Sequence, residues 1–494
     1  MIDTLSTEHL YIGGRWVAPD RTDRLGVISP ATEEVVASVP AAAPSDVDAA
    51  VAAARAALDG GWARTSVADR IALVRALREE IDAHRPAFAE LITTEMGCPI
   101  TQARAIQAVS PVQIMDEYLD VAQRYPFREV RTSLDGASAL VTREPVGVVA
   151  AVIPWNVPLG IAVQKLTPAL LAGCAVVLKT APEAPLDAYL LAELVEKAGL
   201  PPGTFNMLCA DRETSEYLVR HPGVDKVTFT GSSAAGRRIA ALCGNDLRRV
   251  TLELGGKSAA IVLDDADAAA TAESLRMGSF RNSGQICTLK TRVLVPAQRR
   301  DEFADALADM VRSRPQGDPH DERTQIGPLV SARQRATVER YLDGARTDGA
   351  KALTGGGRPD RLPHGWYVEP TVLVDVEPDM RVAQEEIFGP VVGLIAYSDE
   401  TEAVRIANAT PYGLNGAVFT SDLERGMRVA SRMHTGTVEL NGSPAGLAAP
   451  MGGVKGSGIG RENGPEGIDT YVEPKAIGLP PDAPVPSTAG TVNR

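Results

Sequence analysis

The chain has 494 residues, with 50 Lys and Arg against 63 Asp and Glu, which gives a formal net charge of −13. This length predicts about two to four domains, and a composition of 44% apolar and 23% charged residues excludes disorder over the whole chain. The acidic balance excludes nucleic acid and anionic lipid as the main partner, because both select basic surfaces.

Apolar runs, cysteines and histidines narrow the class of protein further. The longest apolar runs, 146–154 and 168–178, fall short of a membrane-spanning helix, and the start, MIDTLSTEHL, lacks the basic and apolar regions of a secretory signal. The five cysteines form no CxxC pair, and the six histidines are isolated. This pattern predicts a cytoplasmic protein with reduced thiols and no metal site of its own.

In chain order, the first predicted elements are two short β-rich runs, YIGGRWV and EEVVASV, expected to form a strand pair. Helical periodicity follows over 46–58 and 66–94, and Pro86 should kink or divide the second helix. From 146 to 263, apolar β-branched runs alternate with helical segments. This alternation predicts a Rossmann-like parallel sheet, covered on both faces, with its ligand at the carboxyl ends of the strands.

A second α/β block is predicted after 263. Its strands lie near TRVLVP, PTVLVDV, GPVVGLIAY and GTVEL, and its helices are expected at 299–312, 331–348 and 401–409. The Gly-rich run MGGVKGSGIG is interpreted as a loop, and the final LPPDAPVPSTAGTVNR lacks core-forming residues, so it is expected to be mobile.

Two side chains in this frame could carry chemistry. Cys287 lies in FRNSGQICT, between a helical run and a strand, although a lone cysteine is more often a small buried hydrophobe than a nucleophile. Glu253 ends an apolar strand in TLELGGKS, where burial would raise its pKa and suit it to general-base work. The alternatives for Glu253 are an exposed glutamate at a strand end or a glutamate paired with a nearby arginine, such as Arg248 or Arg249.

The run DKVTFTGSSAAGRR leads from a strand through glycine and serines into a helix, an arrangement that binds phosphate. The spacing of Gly231 and Gly236 imitates a nucleotide-triphosphate loop, but Arg237 and Arg238 occupy the positions of the required Lys and Ser or Thr. A dinucleotide pyrophosphate site and a simple capped turn both remain open.

Two further polar residues follow strand ends. Lys179 ends VVLK, where it reaches either solvent or a ribose or phosphate at the ligand edge. Asn156, in VIPWNVP, either donates to an oxyanion or shapes a turn.

Together these pieces resemble the aldehyde dehydrogenase superfamily over nearly the whole chain. The matching motifs, in the order of that family, are YIGGRWV, PWN at 154–156, FTGS at 229–232, ELGGKS at 253–258, GQIC at 284–287, EEIFGP at 385–390 and GGVKGSGIGRE at 452–462. No single motif is decisive, whereas the ordered set, with Cys287 placed 34 positions after Glu253, is highly specific.

The resemblance implies an α/β fold in three parts. These are a Rossmann-like NAD(P)-binding domain (1–125 and 144–254), an α/β catalytic domain (255–460), and a small β oligomerisation flap with the tail (126–143 and 461–494). The flap is expected to pair with the segment around 471–477 of another subunit, in a homodimer or homotetramer.

The resemblance also implies catalytic roles for four residues. Cys287 would attack an aldehyde to form a thiohemiacetal and then a thioester. The Asn156 amide and the Cys287 N–H would stabilise the oxyanion, and Glu253 would activate the hydrolytic water. Lys165, in a K-x-x-P-A-L stretch, would assist proton transfer or hold cofactor.

For the cofactor, the resemblance implies NAD, with NADP tolerated. NAD-selective members of the family often have a Glu three residues after the lysine that binds the ribose, which corresponds to Lys179 here. In this chain Pro182 occupies that position, and Glu183 follows it. Arg212 could meet a 2′-phosphate but is expected to be solvated. The implied cofactor residues are Ile153, Pro154, Trp155, Lys179, Glu183, Gly231, Ser232, Leu254, Glu386 and Phe388.

The prediction of the substrate class rests on positions that often carry aromatic residues of the substrate pocket in the family. Val157 and Met451 occupy such positions, and the segment SPAGLAAP is small and apolar, which predicts an uncharged hydrophobic aldehyde. The polar residues nearby are Gln164 and Arg281, and Arg281 is expected to face away.

Three rival functions fit parts of the sequence less well. A CoA-acylating dehydrogenase would share the thiol but usually lacks the base, so Glu253 favours hydrolysis. A non-catalytic protein that kept the scaffold is disfavoured by the intact Cys287, Glu253 and Asn156. A phosphate-loop NTPase is disfavoured by Arg237 and Arg238.

Overall fold

The computed structural model describes Leu5 and residues 7–480 of the chain. The C-terminal run predicted to be mobile lies, from 481 onward, outside the described residues. In the part of the chain that the structure describes, no helix combines the length and the apolar character needed to cross a membrane.

The strands and helices are numbered separately along the chain. The strands are β1 (Leu10–Ile12), β2 (Arg15–Val17), β3 (Arg24–Ile28), β4 (Val35–Pro40), β5 (Arg128–Thr132), β6 (Ser138–Pro145), β7 (Val148–Val152), β8 (Ala175–Thr180), β9 (Phe205–Cys209), β10 (Lys226–Thr230), β11 (Arg249–Glu253), β12 (Ser258–Val262), β13 (Lys290–Pro296), β14 (Lys351–Thr354), β15 (Thr371–Val374), β16 (Val391–Tyr397), β17 (Gly416–Phe419), β18 (Glu439–Leu440), β19 (Gly458–Ile459) and β20 (Val472–Leu479). The helices are α1 (Pro44–Asp59), α2 (Val67–Ala83), α3 (Arg85–Met96), α4 (Ile100–Gln102), α5 (Ser110–Arg124), α6 (Pro158–Ala172), α7 (Leu186–Lys197), α8 (Arg212–Arg220), α9 (Ser233–Asn245), α10 (Ala268–Phe280), α11 (Arg300–Arg312), α12 (Ala332–Asp348), α13 (Arg381–Gln384), α14 (Glu400–Asn408), α15 (Leu423–Ala430) and α16 (Gly464–Asp469).

The larger sheet has eight strands in the order β19-β11-β10-β7-β8-β9-β1-β2. Its five central strands, from β11 to β9, run parallel. Every residue of β7, β8 and β9 is buried, which explains why these strands are apolar throughout instead of alternating. The predicted helix-covered parallel sheet is confirmed.

The second sheet has seven strands in the order β14-β15-β16-β13-β12-β17-β18. All of them run parallel except β14 at one edge. Side chains alternate between two hydrophobic clusters on the two faces, so that Leu294 packs with α12 and α14 while Val293 and Val295 pack with α10 and α11. The predicted second α/β block is thereby confirmed.

The third sheet is antiparallel and joins β20, β6 and β5 in that order. β20 pairs with β6 from Val472 opposite Pro145 to Leu479 opposite Ser138, within one chain. The expectation that this segment pairs with the flap of another subunit is therefore wrong. The buried Tyr471, whose carbonyl accepts from the Val146 N–H at 2.9 Å, fixes β20 beside its own chain's β6.

Smaller elements differ from prediction for local reasons. The run YIGGRWV is itself a hairpin, β1 to β2, because Gly13 and Gly14 take the positive φ values of 62° and 75° that a tight turn requires. EEVVASV contributes β4, which pairs with β3. Pro86 divides α2 from α3 as predicted. The Gly-rich run is not wholly a loop, since β19 adds to the edge of β11.

Candidate active site

Neighbouring strands of the eight-stranded sheet end at one edge and bring the predicted residues together there. β11 ends at Glu253, whose carbonyl accepts the N–H of Gly231, just after β10, at 3.0 Å. Ile153 follows β7 and donates its N–H to the Lys179 carbonyl on β8 at 3.1 Å. This edge is where an open parallel sheet binds its ligand.

Cys287 lies in a turn between α10 and β13 and is partly exposed. The chain reaches it through left-handed backbone at Asn282 and Ser283, with φ values of 53° and 55°. Such conformations persist only where the surroundings fix them. A Cβ added to Gly256 would lie 2.5 Å from the Cys287 carbonyl oxygen, so the ELGG loop after Glu253 packs directly on the Cys287 backbone.

Asn156 is tied to the loop that carries the thiol. Its Nδ2 donates to the Gln285 carbonyl at 2.9 Å, and its own carbonyl accepts from Asn282 Nδ2 at 3.0 Å. A primary amide has two N–H donors. The buried Asn156 side chain therefore uses one donor to fix its position and keeps a second for a ligand.

Glu253 presents a carboxyl group with no protein partner. The residue is 3% exposed, and neither carboxyl oxygen forms a hydrogen bond with any described residue. A Cβ added to Gly452 would lie 2.6 Å from Glu253 Oε1, so glycine at 452 leaves the room that this carboxyl occupies. Burial, followed by the charge of Glu462, raises the pKa of Glu253 well above its ordinary value.

Glu462 is a site residue to which sequence reasoning gave no role. Its Oε1 pairs with Lys165 Nζ at 2.5 Å, and Lys165 also donates to Thr228 Oγ1 at 3.3 Å. Both members of the pair are buried. The pair is close enough to act on Glu253 electrostatically. The negative charge of Glu462 raises the pKa of Glu253, and the positive charge of Lys165 lowers it. The motif GGVKGSGIGRE contains Glu462, but its contact with Lys165 spans 297 positions.

The surroundings of Cys287 favour its uncharged thiol form. Burial, then the negative charges of Glu386 and Glu253, raise the pKa of Cys287 to about 12. A nucleophilic thiolate at neutral pH therefore requires a base next to the thiol.

The predicted phosphate loop is a helix N-terminus in the structure. Ser232 caps α9 by accepting the Ala235 N–H at 3.3 Å, which closes the turn after β10. A Cβ on Gly236 would lie 2.4 Å from Leu254, so α9 packs tightly on the end of β11. The N-terminus of α9 thus lies at the ligand edge, with the backbone donors and dipole that bind a phosphate.

Lys179 and Glu386 are buried ionisable groups at this edge. Lys179 is buried, forms no hydrogen bond or ion pair with the described residues, and has its pKa lowered by burial. Glu386 Oε1 accepts the Gly256 N–H at 3.0 Å, and burial raises the pKa of Glu386 to about 7. Glu183 lies nearby in sequence but pairs with Arg333 at 3.1 Å.

Two aromatic side chains meet between the sheets. Trp155, joined to Ile153 by Pro154, lies edge-on to Phe388 at a ring-centroid distance of 5.4 Å. Phe388 adopts a positive φ of 58°, and its carbonyl accepts from Gln334 Nε2 at 2.8 Å. The structure therefore brings together two residues assigned to one cleft from separate motifs.

No group of three or more His, Cys, Asp and Glu side chains in the described residues is arranged to hold a metal ion. The acid–base chemistry available at this edge comes from the side chains already described.

Comparisons with known proteins show which family the chain belongs to. A sequence model of the aldehyde dehydrogenase family matches residues 16–477. The geranial dehydrogenase of Castellaniella defragrans is 46% identical over 96% of this chain and 99% of its own. A 3-succinoylsemialdehyde-pyridine dehydrogenase of Pseudomonas is 41% identical over 94% of this chain and 97% of its own.

Solved structures of aldehyde dehydrogenases are also similar to this chain over nearly its whole length. An aldehyde dehydrogenase of Mycobacterium tuberculosis in complex with NAD+ superposes with a TM-score of 0.95 at 43% identity, covering 97% of this chain and 99% of its own. A cysteine-to-alanine variant of aldehyde dehydrogenase C from Pseudomonas syringae, in complex with NAD+ and octanal, gives 0.94 at 41% identity, covering 97% and 98%. The chain belongs to the aldehyde dehydrogenase family.

Proposed function

We propose that this protein oxidises an aldehyde to its carboxylic acid with NAD, using Cys287 as the nucleophile and Glu253 as the base. One observation carries the proposal. The partly exposed Cys287 thiol feels the charge of Glu253, a buried carboxyl group that has no hydrogen-bond partner among the described residues. The loop that carries Cys287 is also hydrogen-bonded to Asn156.

The first step is attack of the Cys287 sulfur on the aldehyde carbon. Glu253 accepts the thiol proton, because a thiol with a pKa of about 12 is otherwise uncharged at neutral pH. The aldehyde oxygen becomes the oxyanion of a thiohemiacetal. The spare Asn156 N–H and the Cys287 backbone N–H stabilise that charge, and a fixed donor of this kind contributes about 10²–10³ in rate.

The residues around the cleft fit a dinucleotide. The N-terminus of α9, with Gly231 and Ser232, suits the pyrophosphate, and the unpaired Lys179 and buried Glu386 suit the ribose hydroxyls. The remaining cofactor contacts are assigned to Ile153, Pro154, Trp155, Leu254 and Phe388. Bound NAD supplies the hydride acceptor for the oxidation.

Hydrolysis of the thioester restores the enzyme. Glu253 first releases the thiol proton to solvent. A water molecule, whose proton Glu253 then accepts, attacks the acyl carbon on Cys287, and the thiolate leaves as the carboxylic acid forms. A CoA-acylating enzyme has no water to activate in this second step, so a desolvated Glu253 that can serve there favours the hydrolytic route. Lys165 and Glu462 act on Glu253 through their charges.

Replacing Glu462 with glutamine is expected to move the acid limb of the kcat/KM profile to lower pH by about one unit. The negative charge of Glu462 raises the pKa of both Glu253 and Cys287, and the base works only when deprotonated. Removing that charge therefore lets the base act at lower pH. Glu466→Gln, on the exposed side of α16, is the matched control, and an unmoved limb in Glu462→Gln would contradict this role.

NAD is expected to give a kcat/KM about tenfold higher than NADP, with NADP still turned over. The Glu183 carboxylate disfavours a 2′-phosphate, but Arg333 partly neutralises it. Glu183→Gln should lower the ratio of kcat/KM with NAD to kcat/KM with NADP. Glu196→Gln, which changes an exposed residue of α7, should leave this ratio unchanged. Steady-state kinetics with both cofactors test this, and a strong NADP preference in the wild type would refute it.

The proposed substrate is an uncharged aldehyde with a hydrophobic body. Val157 and Met451 support this choice, as do relatives whose names give geranial as substrate or octanal as bound ligand. The homo-oligomer, the cytoplasmic location and the three-part domain division stay predictions.

The test is reduction of NAD and NADP with short, long, branched, aromatic and carboxylated aldehydes. We expect turnover that favours the hydrophobic, uncharged members. If no aldehyde reduces the cofactor although the cofactor binds, the proposed activity is overturned. If turnover requires added CoA, the thioester is transferred to CoA and is not hydrolysed.

A further inference from the structure

A cavity of about 170 Å³ lies beside the catalytic loop and is not explained by the roles above. Val157, which follows Asn156, and Ile286, which precedes Cys287, both line it. Ile106 adds a third apolar wall residue. The cavity therefore borders the two segments that hold the oxyanion donor and the nucleophile, where the body of an aldehyde bound at Cys287 would lie.

Arg281 forms part of the wall of this cavity. Arg281 was expected to face away from the site, and in the structure it lines this cavity beside the catalytic loop instead. The Arg281 guanidinium forms no hydrogen bond or ion pair with any residue that the structure describes, and burial lowers its pKa. A guanidinium has five N–H donors, so several are available to a ligand.

Two side-chain amides beside Arg281 have polar atoms without hydrogen-bond partners. Gln107 is 4% exposed, and both its Nε2 and Oε1 lack a hydrogen bond of ordinary geometry among the described residues, although the amide approaches the Cys98 thiol. Asn282 Oδ1 is buried and unpaired as well. Buried polar groups without partners are rare in folded proteins, and several at one cavity indicate a ligand that supplies the missing bonds.

The charges around the cavity favour a neutral ligand over an anion. The carboxyl groups of Glu386, Glu253 and Glu462 all act on Cys287, so the reacting end of the pocket is acidic. The charge of Glu439, which pairs with Lys290 at 2.6 Å, also acts on Arg281. A carbonyl oxygen needs only donors, which Arg281 and Gln107 provide, and it adds no negative charge beside these carboxyl groups.

We propose that Arg281 and Gln107 bind an uncharged carbonyl oxygen in the body of the aldehyde substrate, so that the preferred substrates are hydrophobic oxo-aldehydes. This inference rests on the proposed function and narrows its substrate class. The apolar wall of Ile106, Val157 and Ile286 accepts the hydrocarbon, and the polar wall selects the oxygen.

The test compares matched aldehydes that differ only in one oxo group. Phenyl-substituted alkanals with the oxo group on the third, fourth or fifth carbon are measured against the same alkanals without it and against a carboxylate-ended semialdehyde. In the wild type we expect at least one oxo-aldehyde to exceed its match in kcat/KM by about tenfold or more, mainly through KM. Arg281→Met should bring that ratio close to one, and Gln107→Met should lower it.

The control is Arg340→Met, an exposed arginine on α12, which should leave the ratio unchanged. Thermal melting shows whether each variant is folded. A wild-type ratio near one, a ratio that survives Arg281→Met in folded protein, or a preference for the carboxylate-ended semialdehyde would each overturn the proposal. These results differ from failure of the proposed function, in which no aldehyde of the set would reduce NAD.

Discussion

Cys287→Ser is expected to lower the rate of aldehyde-dependent NAD reduction by at least about a thousandfold. A serine hydroxyl is far less acidic than a thiol, and the carboxylates that raise the pKa of Cys287 would raise that of the hydroxyl in the same way. Glu253 could not then generate the nucleophile. NAD binding, followed by fluorescence titration, should be retained because no proposed cofactor contact uses the thiol.

The matched control is Cys243→Ser, which changes a buried cysteine of α9 on the core side of the helix. This variant should keep its turnover even if its melting temperature falls. Turnover by folded Cys287→Ser within tenfold of the wild type would assign the nucleophile to another residue.

Glu253→Gln is expected to release one NADH equivalent per active site and then nearly stop. Glutamine keeps the size of the side chain but cannot accept a proton, and loss of a general base costs about 10²–10⁴ in rate. The thiolate fraction available at high pH still allows acylation, whereas hydrolysis lacks its base. Rapid mixing at high pH would show a burst followed by a slow steady state.

Glu213→Gln, an exposed glutamate on α8, should show wild-type steady-state turnover in the same experiment. Full steady-state turnover by Glu253→Gln would mean that another group activates the water. Loss of the burst together with the steady state at high pH would contradict the expected acyl-enzyme, because acylation would then require Glu253 even when the thiol can ionise.

The strand-end positions were predictable from sequence because a parallel sheet places successive carboxyl ends at one edge. Glu253, Gly231, Ile153 and Lys179 are each within one residue of a strand end, so their meeting follows from apolar runs and chain order. The position of Cys287 is different. A single cysteine between a helix and a strand has no distinctive pattern, and only the ordered motifs pointed to it.

Other features depended on contacts between distant parts of the chain. The Lys165–Glu462 pair joins α6 to the segment before α16, and nothing local to either residue predicts a buried ion pair. The pairing of β20 with β6 depends on where Tyr471 is anchored, which sequence spacing does not specify. The position of Arg281 in the wall of the cavity depends on packing against segments far away in the chain, which no local sequence pattern specifies.

Peptide-level mass spectrometry of Glu253→Gln, mixed at high pH with NAD and a hydrophobic aldehyde and then quenched in acid, tests the central claim most directly. The account predicts that the peptide containing Cys287 gains the mass of one acyl group and that hydroxylamine removes it, as expected for a thioester. NADH formation with an unmodified Cys287 peptide, or with the acyl group on another residue, would contradict covalent catalysis through Cys287.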